Sequence, residues 1–310
     1  MNFKKLLASV LAFVMLVAPV AAFASNAETD EPIDEMWGAP ILAHGASLTA
    51  AQLDEVKDIL GITGTNFDYV AVTGADMVFF LGSGNQNASM LSTALIERRP
   101  AGTGVLVEIV TPDNITRITE NQYTNAMITA GVTDAHVRIV SPVVVTGEAA
   151  LTGIYKAFYE RGYELDQDRM GVAQKELEIT SSIANELANN PDFDTEDLDA
   201  TILEIKNNLA ELYDAAGNIA NDEDIQRIVR EALANNDLDH LISSEQMARI
   251  SSFANSFQLT DAIRSTDFRN QLENLADRIG LDVGSIFNTS RDQAAGFFTR
   301  IWNWITSFFN

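Results

Sequence analysis

Asn125–Ala157, NAMITAGVTDAHVRIVSPVVVTGEAALTGIYKA, packs a helix end, two extended segments and a second helix into one stretch with almost no connecting chain. Tyr123, Met127 and Ala130 recur at helical spacing, so a helix runs into the stretch. Gly131 stands where a helix commonly ends in a left-handed residue, a conformation glycine adopts without a Cβ clash. Ala135–Val140 alternates as a strand, with Val137 and Ile139 on one face and His136 and Arg138 on the other. Ser141-Pro142 interrupts it, since proline has no N–H for a ladder. Val143–Val145 is expected to resume extended structure. Thr146 is expected to cap a helix from Gly147 to about Arg161. Leu151, Ile154 and Phe158 would be its apolar stripe, and Glu148 would lie in its first turn, where the helix dipole favours negative charge.

Working outward on the N-terminal side, Trp37–His44 reads as a first strand or an extended entry. Thr49 caps a helix to Leu60, with Gln52 reaching back and Gly61 after its end. Phe67–Thr73 has strand composition, Ala75–Leu81 fits a short helix or a strand, and Gly82–Asn85 is a loop. Thr93–Arg98 and Gly104–Val110 read as two neighbouring strands joined around Pro100 and Gly102. The second is apolar on both faces, which suggests a central position. Thr119 and Gln122 form another capping box, opening the helix that ends at Gly131. Strands and helices alternate irregularly, with a hairpin expected in the middle, so an α+β domain with a mixed sheet is predicted over about 37–163.

From about Asp166 the texture turns helical. Stripes run Val172–Leu187, Leu198–Leu212 and Ile225–Leu233, and further helices are expected over Ser244–Phe257 and Thr260–Ile279. Short turns at Asn189-Asn190-Pro191 and Gly217-Asn218 suit antiparallel neighbours, so residues 166–280 are predicted to be a helical bundle. Residues 290–310 are expected to form a separate amphipathic helix whose broad apolar face carries Phe297, Phe298, Ile301, Trp302, Trp304, Ile305, Phe308 and Phe309. Three placements fit it: packing on the protein, lying in a membrane interface, or docking to a partner.

The central stretch carries a resemblance. Thr129-Ala130-Gly131, Asp134-Ala135, Ser141-Pro142, Thr146-Gly147 and Ala150-Leu151-Thr152-Gly153-Ile154 followed by Lys156-Ala157 resemble the YpuA-like family, secreted proteins of unknown function from Gram-positive bacteria. The similarity covers roughly Gly45–Arg161 and, more loosely, the helical half. It implies an exported class and supplies no catalytic residue. The positions it singles out are Thr129, Gly131, Ser141, Pro142, Thr146, Gly147, Glu148, Gly153 and Lys156. Of these Thr146, Glu148 and Ser141 sit at a strand-to-helix turn, a frequent place for binding groups, though capping explains them as well.

Residues 1–24 read as a secretory signal: Lys4 and Lys5 begin it, Leu6–Val17 is its apolar middle and Ala22-Phe23-Ala24 its cleavage site. Residues 25–36 are an acidic leader with little to bury. The chain has 310 residues, a formal net charge of −24 and no cysteine. Disulfides are therefore excluded, and acidity of this size repels nucleic acid and anionic lipid head groups. Export leaves the cell wall, a membrane surface or another envelope protein as the expected partners.

Asp192-x-Asp194-x-Glu196-Asp197-x-Asp199 resembles the start of a calcium loop. Asp197 occupies the glycine position and Leu203 replaces the closing acid, so these residues are expected to cap the following helix instead. Gly82-x-Gly84 and Gly102-x-Gly104 are turns and not phosphate fingerprints. His44, His136 and His240 have no metal-ligand spacing, and no metal or cofactor is expected. The leading reading is a non-enzymatic binding module. Its competitor is a hydrolase or other enzyme acting on an envelope polymer, with a site between the two domains.

Overall fold

The computed structural model describes residues 37–279 apart from 63, 65 and 83. The segments read from the sequence as a signal, an acidic leader and an aromatic helix at 290–310, with Phe297, Phe298, Ile301, Trp302, Trp304, Ile305, Phe308 and Phe309, lie outside the described residues. The architecture is α+β: a mixed sheet with helices interleaved, followed by consecutive helices.

Among the described residues five strands make the sheet: β1 Ile41–Gly45, β2 Asp68–Val72, β3 Thr93–Arg98, β4 Leu106–Ile109 and β5 Ala135–Val140. Their order is β2-β1-β3-β5-β4. β1 runs parallel to β2 and antiparallel to β3, and β5 runs antiparallel to β3 and parallel to β4. Two expectations are corrected here. β3 and β4 are not neighbours and form no hairpin, because β5 lies between them; and β4 is an edge strand, with Leu106 and Glu108 exposed and only Val107 buried. The cause sits just ahead of β5. The Asp134 carboxylate accepts the backbone N–H groups of Gly102 and Gly104, both at 2.9 Å, and the Asp134 carbonyl accepts that of Arg99. The β3–β4 loop is thereby pinned across the head of β5, and β4 emerges on its far side.

Alternation puts Ile41, Ala43, Val70, Val72, Ala94, Ile96, Val107, Val137 and Ile139 on one face, all buried. On the other face, helix α1 (Ala50–Leu60) covers Leu42, Leu95 and Val140 with Val56 and Leu60. Beyond this apolar patch that face carries Glu97, His136, Arg138 and Glu108. His136 Nδ1 lies 3.5 Å from Glu97 and its Nε2 3.8 Å from Glu108, while Arg138 donates to the Leu60 carbonyl.

Local capping chemistry sets the helix boundaries. Thr49 with Gln52 opens α1, and Thr73 with Asp76 opens α2 (Gly74–Leu81), which settles that segment as helix. Thr119 with Gln122 opens α3 (Glu120–Ala130), and Gly131 closes it at φ 91°. Helix α4 spans Ala149–Glu160. Here a further expectation fails: Thr146 is not the cap. Its hydroxyl bonds the Glu148 carboxylate, Glu148 occupies the cap position without a side-chain cap bond, and the helix starts later. The reason is Gly147, bent to φ 106° with its carbonyl held by the Tyr123 hydroxyl at 2.6 Å. Val143–Val145 likewise joins no sheet; Val145 makes a single bridge to Ile115 and Val144 is exposed.

The later helices are α5 (Gln167–Leu187), α6 (Thr195–Ala216), α7 (Asp222–Asn235), α8 (Ser244–Gln258) and α9 (Thr266–Arg278). The segment expected as one helix over 260–279 is broken, because Asp261–Arg264 is a 3-10 turn and the Ser265 hydroxyl then caps a new helix. α3 packs chiefly on α5, and one buried apolar cluster runs from Trp37 through Val137, Leu151 and Leu177 to Leu275. The change of texture near 163–166 is thus a change of secondary structure within one packed unit.

Candidate functional site

Two polar assemblies stand out, one open to solvent and one sealed. The open one is a groove of about 300 Å³ lined by Arg117, Glu148, Glu178, Ser181, Ser182, Asn185 and Glu186. Arg117 precedes the cap of α3, Glu148 precedes α4, and the rest come from one side of α5. Glu148 takes the Thr146 hydroxyl at 3.1 Å, and Glu178 takes Gln174 Nε2 at 2.9 Å. Glu186 is gripped by Arg249 of α8 at 2.7 and 2.8 Å and also accepts Ser182 and Gln246. The Arg249 guanidinium and these hydrogen bonds hold the Glu186 carboxyl down at about 2. It stays ionised through the physiological range and can attract a cationic group, but it does not deliver a proton near neutrality.

The sealed assembly joins α3, α5 and α6. Lys206, with no exposed surface, donates to Glu176 at 2.8 Å and to Asn125 Oδ1 at 2.8 Å, and reaches Thr129 Oγ1 at 3.3 Å. Thr129 in turn donates to the other Glu176 oxygen at 2.5 Å. One helical turn pair away on α6, Asp199 is 1% exposed and accepts the Thr119 hydroxyl at 3.2 Å. Burial pushes its carboxyl up to about 8. Burial also lowers the Lys206 ammonium, with Glu176 opposing that shift. At the other end of α3, Arg169 donates to the carbonyls of Thr129 and Ile128, closing the helix terminus whose turn Gly131 makes.

The residues singled out by the resemblance divide between these places and the framework. Thr129 is in the sealed network, and Gly131 lies under the Arg169 guanidinium, within 3.2 Å of where a Cβ would stand. Glu148 lines the groove with Thr146 bonded to it, and Gly147 lets the chain pass the Tyr123 hydroxyl. Ser141 donates its backbone N–H to Thr111 Oγ1 and its hydroxyl to the Val143 carbonyl, stabilising the exit from β5 beside Pro142. Gly153 lets α4 approach Ala43 and Val72 of the sheet, where an added Cβ would stand 3.2 and 3.3 Å away. Lys156 bridges Asp76 at 3.0 Å and donates to the Ala71 carbonyl.

Asp194 caps α6 by accepting the Glu196 N–H, as the acidic run suggested. Among the described residues no group of three or more His, Cys, Asp or Glu is placed to hold a metal ion. Sequence reasoning missed Lys206, Glu176, Arg117, Glu186 and Arg249, and it counted Asp199 among the capping acids, whereas Asp199 lies inside α6 and is buried. For Lys206 a signal existed: it falls one turn from Ile202 and from Leu209, so the apolar face of α6 carries a lysine.

A family model, described as protein of unknown function (DUF1002), matches residues 44–275. The chain belongs to this family. It is also 31% identical over 282 residues to an uncharacterized protein YpuA of Bacillus subtilis (strain 168), covering 89% of this chain and 91% of that protein. No solved structure matches. The family match spans β2 to β5, the end of β1 and most of the helical half, so both polar assemblies lie inside the region the family shares.

Proposed function

We propose that this is an exported, cell-envelope-associated binding module that engages the wall, a membrane surface or another envelope protein without catalysing a reaction. Export rests on the signal-like residues 1–24. The observation that carries the binding reading is the groove: an open polar surface where an arginine faces three glutamates. A hydrolase of an envelope polymer would need a carboxyl raised toward neutrality to donate a proton. In the groove Glu186 is driven the other way, while Asp199, whose carboxyl burial pushes up to about 8, is sealed from solvent; Asp197, Glu204 and Glu211, also raised by burial, do not line the groove.

Co-sedimentation of the mature protein with purified wall sacculi and with liposomes tests this. The R117A/E148Q/E178Q variant is expected to lose most binding to sacculi, and the W302S/W304S variant to lose any binding to liposomes. Sacculus binding by the groove variant equal to that of the parent protein would remove the groove from the reading. Release of product from sacculi by the parent protein would replace it with the enzymatic one.

A further inference from the structure

Asp199 is a buried titratable group for which neither the fold nor the groove has a use. Four groups act on it. From α3 it meets the Thr119 hydroxyl at 3.2 Å; from α5 it feels Glu176; and on its own helix it feels Lys206 and Glu196. The single cation among these, Lys206, is already committed to Glu176 at 2.8 Å. Asp199 Oδ1 finds no hydrogen-bond partner among the described residues, and neither does Gln122 Nε2 of the adjoining capping box. One ammonium therefore faces two carboxyl groups inside a sealed space. The assembly is neutral when one carboxyl holds a proton, and Asp199, with its single hydrogen bond, is the one poorly provided to be an anion.

We propose that the contact of α3 with α6 is a proton-dependent latch, closed while Asp199 is protonated and loosened when it is not. Loss of the proton leaves an unpaired charge beneath Thr119. Water relieves that charge only by entering between α6 and the first turn of α3. This turn is a local element that can open: its cap is two side-chain bonds, Thr119 N–H to Gln122 and Gln122 N–H to Thr119 Oγ1. Arg117 lies two residues ahead of that cap and lines the groove, so opening the latch displaces a groove residue. The latch itself does not depend on the groove binding anything; only its consequence for a ligand rests on the proposed function.

The direction is fixed by linkage. Between the ordinary aspartate value of 3.8 and about 8 the folded chain holds a proton that the unfolded chain has released. Stability from this group therefore falls as pH rises through that window and levels off above it. The test is amide hydrogen exchange of the full chain, without ligand, followed at residues 117–125 and corrected for the intrinsic pH dependence of exchange. In the parent protein these amides are expected to open about thirtyfold more at pH 9, one unit above the Asp199 value, than at pH 6.5. D199N, a permanent mimic of the protonated acid, is expected to show no such change. Equal protection at the two pH values in the parent protein overturns the latch, and so does an equal change in both proteins. Because no ligand is present, neither result depends on sacculus binding.

Discussion

Lys206 and Glu176 are 2.8 Å apart with 0% and 1% of their side chains exposed; Arg249 and Glu186 are 2.7 Å apart with 31% and 43% exposed. The two pairs have the same chemistry and nearly the same length. What separates them is what happens when one partner is removed. At the surface, water solvates the remaining charge, and such pairs contribute about 0–1 kcal/mol. In the core the remaining charge has no solvent, so breaking the pair costs about 3–5 kcal/mol even where the pair itself adds little net stability. The sealed pair also has company: Asn125 and Thr129 complete its hydrogen bonds, which ties three helices to one arrangement.

The largest expected effect breaks this comparison at its buried end. Lys206→Met should lower the unfolding free energy in urea by about 3–5 kcal/mol, because Glu176 is left charged and buried. Adding Glu176→Leu should recover most of that loss, since two apolar side chains then fill the space. A single substitution as mild as Arg249→Ala would mean that water already reaches this network, and the contrast would fail.

An uncharged point on the same scale comes from Gly147. Its φ of 106° is strained for any other residue, and an added Cβ would stand 2.6 Å from the Tyr123 hydroxyl and 2.9 Å from Ile115. Gly147→Ala should therefore cost about 1–3 kcal/mol by strain and displacement, without any burial of charge. Measured by the same denaturation, it should rank between the two ion pairs.

The pattern of success in reading the sequence follows the same division between local and distant interactions. The Thr49–Gln52 and Thr119–Gln122 boxes and the Gly131 terminus were legible because each is closed by residues three or four apart. The mixed α+β sheet followed from alternation in β5 and β3. The strand order did not, because it depends on Asp134 reaching 30 and 32 residues back to Gly104 and Gly102. Thr146 was misread because its capping role was lost to a contact from Tyr123, 24 residues before Gly147. Of the groove, Glu148 was legible as a residue at a strand-to-helix turn; Arg117 and Glu186 carried no local sign. The sealed network joins Asn125, Glu176 and Lys206 across as many as 81 residues, and periodicity reports only that each lies on a helix.

The smallest effect, and the one that sharpens the comparison most, is at the exposed pair. Arg249→Ala should cost no more than about 1 kcal/mol. Its cost should shrink toward zero in 1 M salt, where the screening length falls to about 3 Å, whereas the cost of Lys206→Met should not change. The two regions should also act on opposite limbs of the pH profile. Glu186 is held at about 2 against an ordinary 4.5, so the unfolded chain takes up its proton first on acidification. The contribution of this pair is therefore present above about pH 4.5 and lost as pH falls toward 2, and Arg249→Ala should flatten that acid limb. Asp199, shifted the other way, governs the limb between 3.8 and about 8 and should be untouched by the change at Arg249. Melting temperatures of the parent protein and Arg249→Ala from pH 2 to 9 would show this as two curves that differ above pH 4.5 and converge on the acid side. A difference that persisted at pH 2 would mean that Arg249 acts through packing on α5 and not through the charge of Glu186.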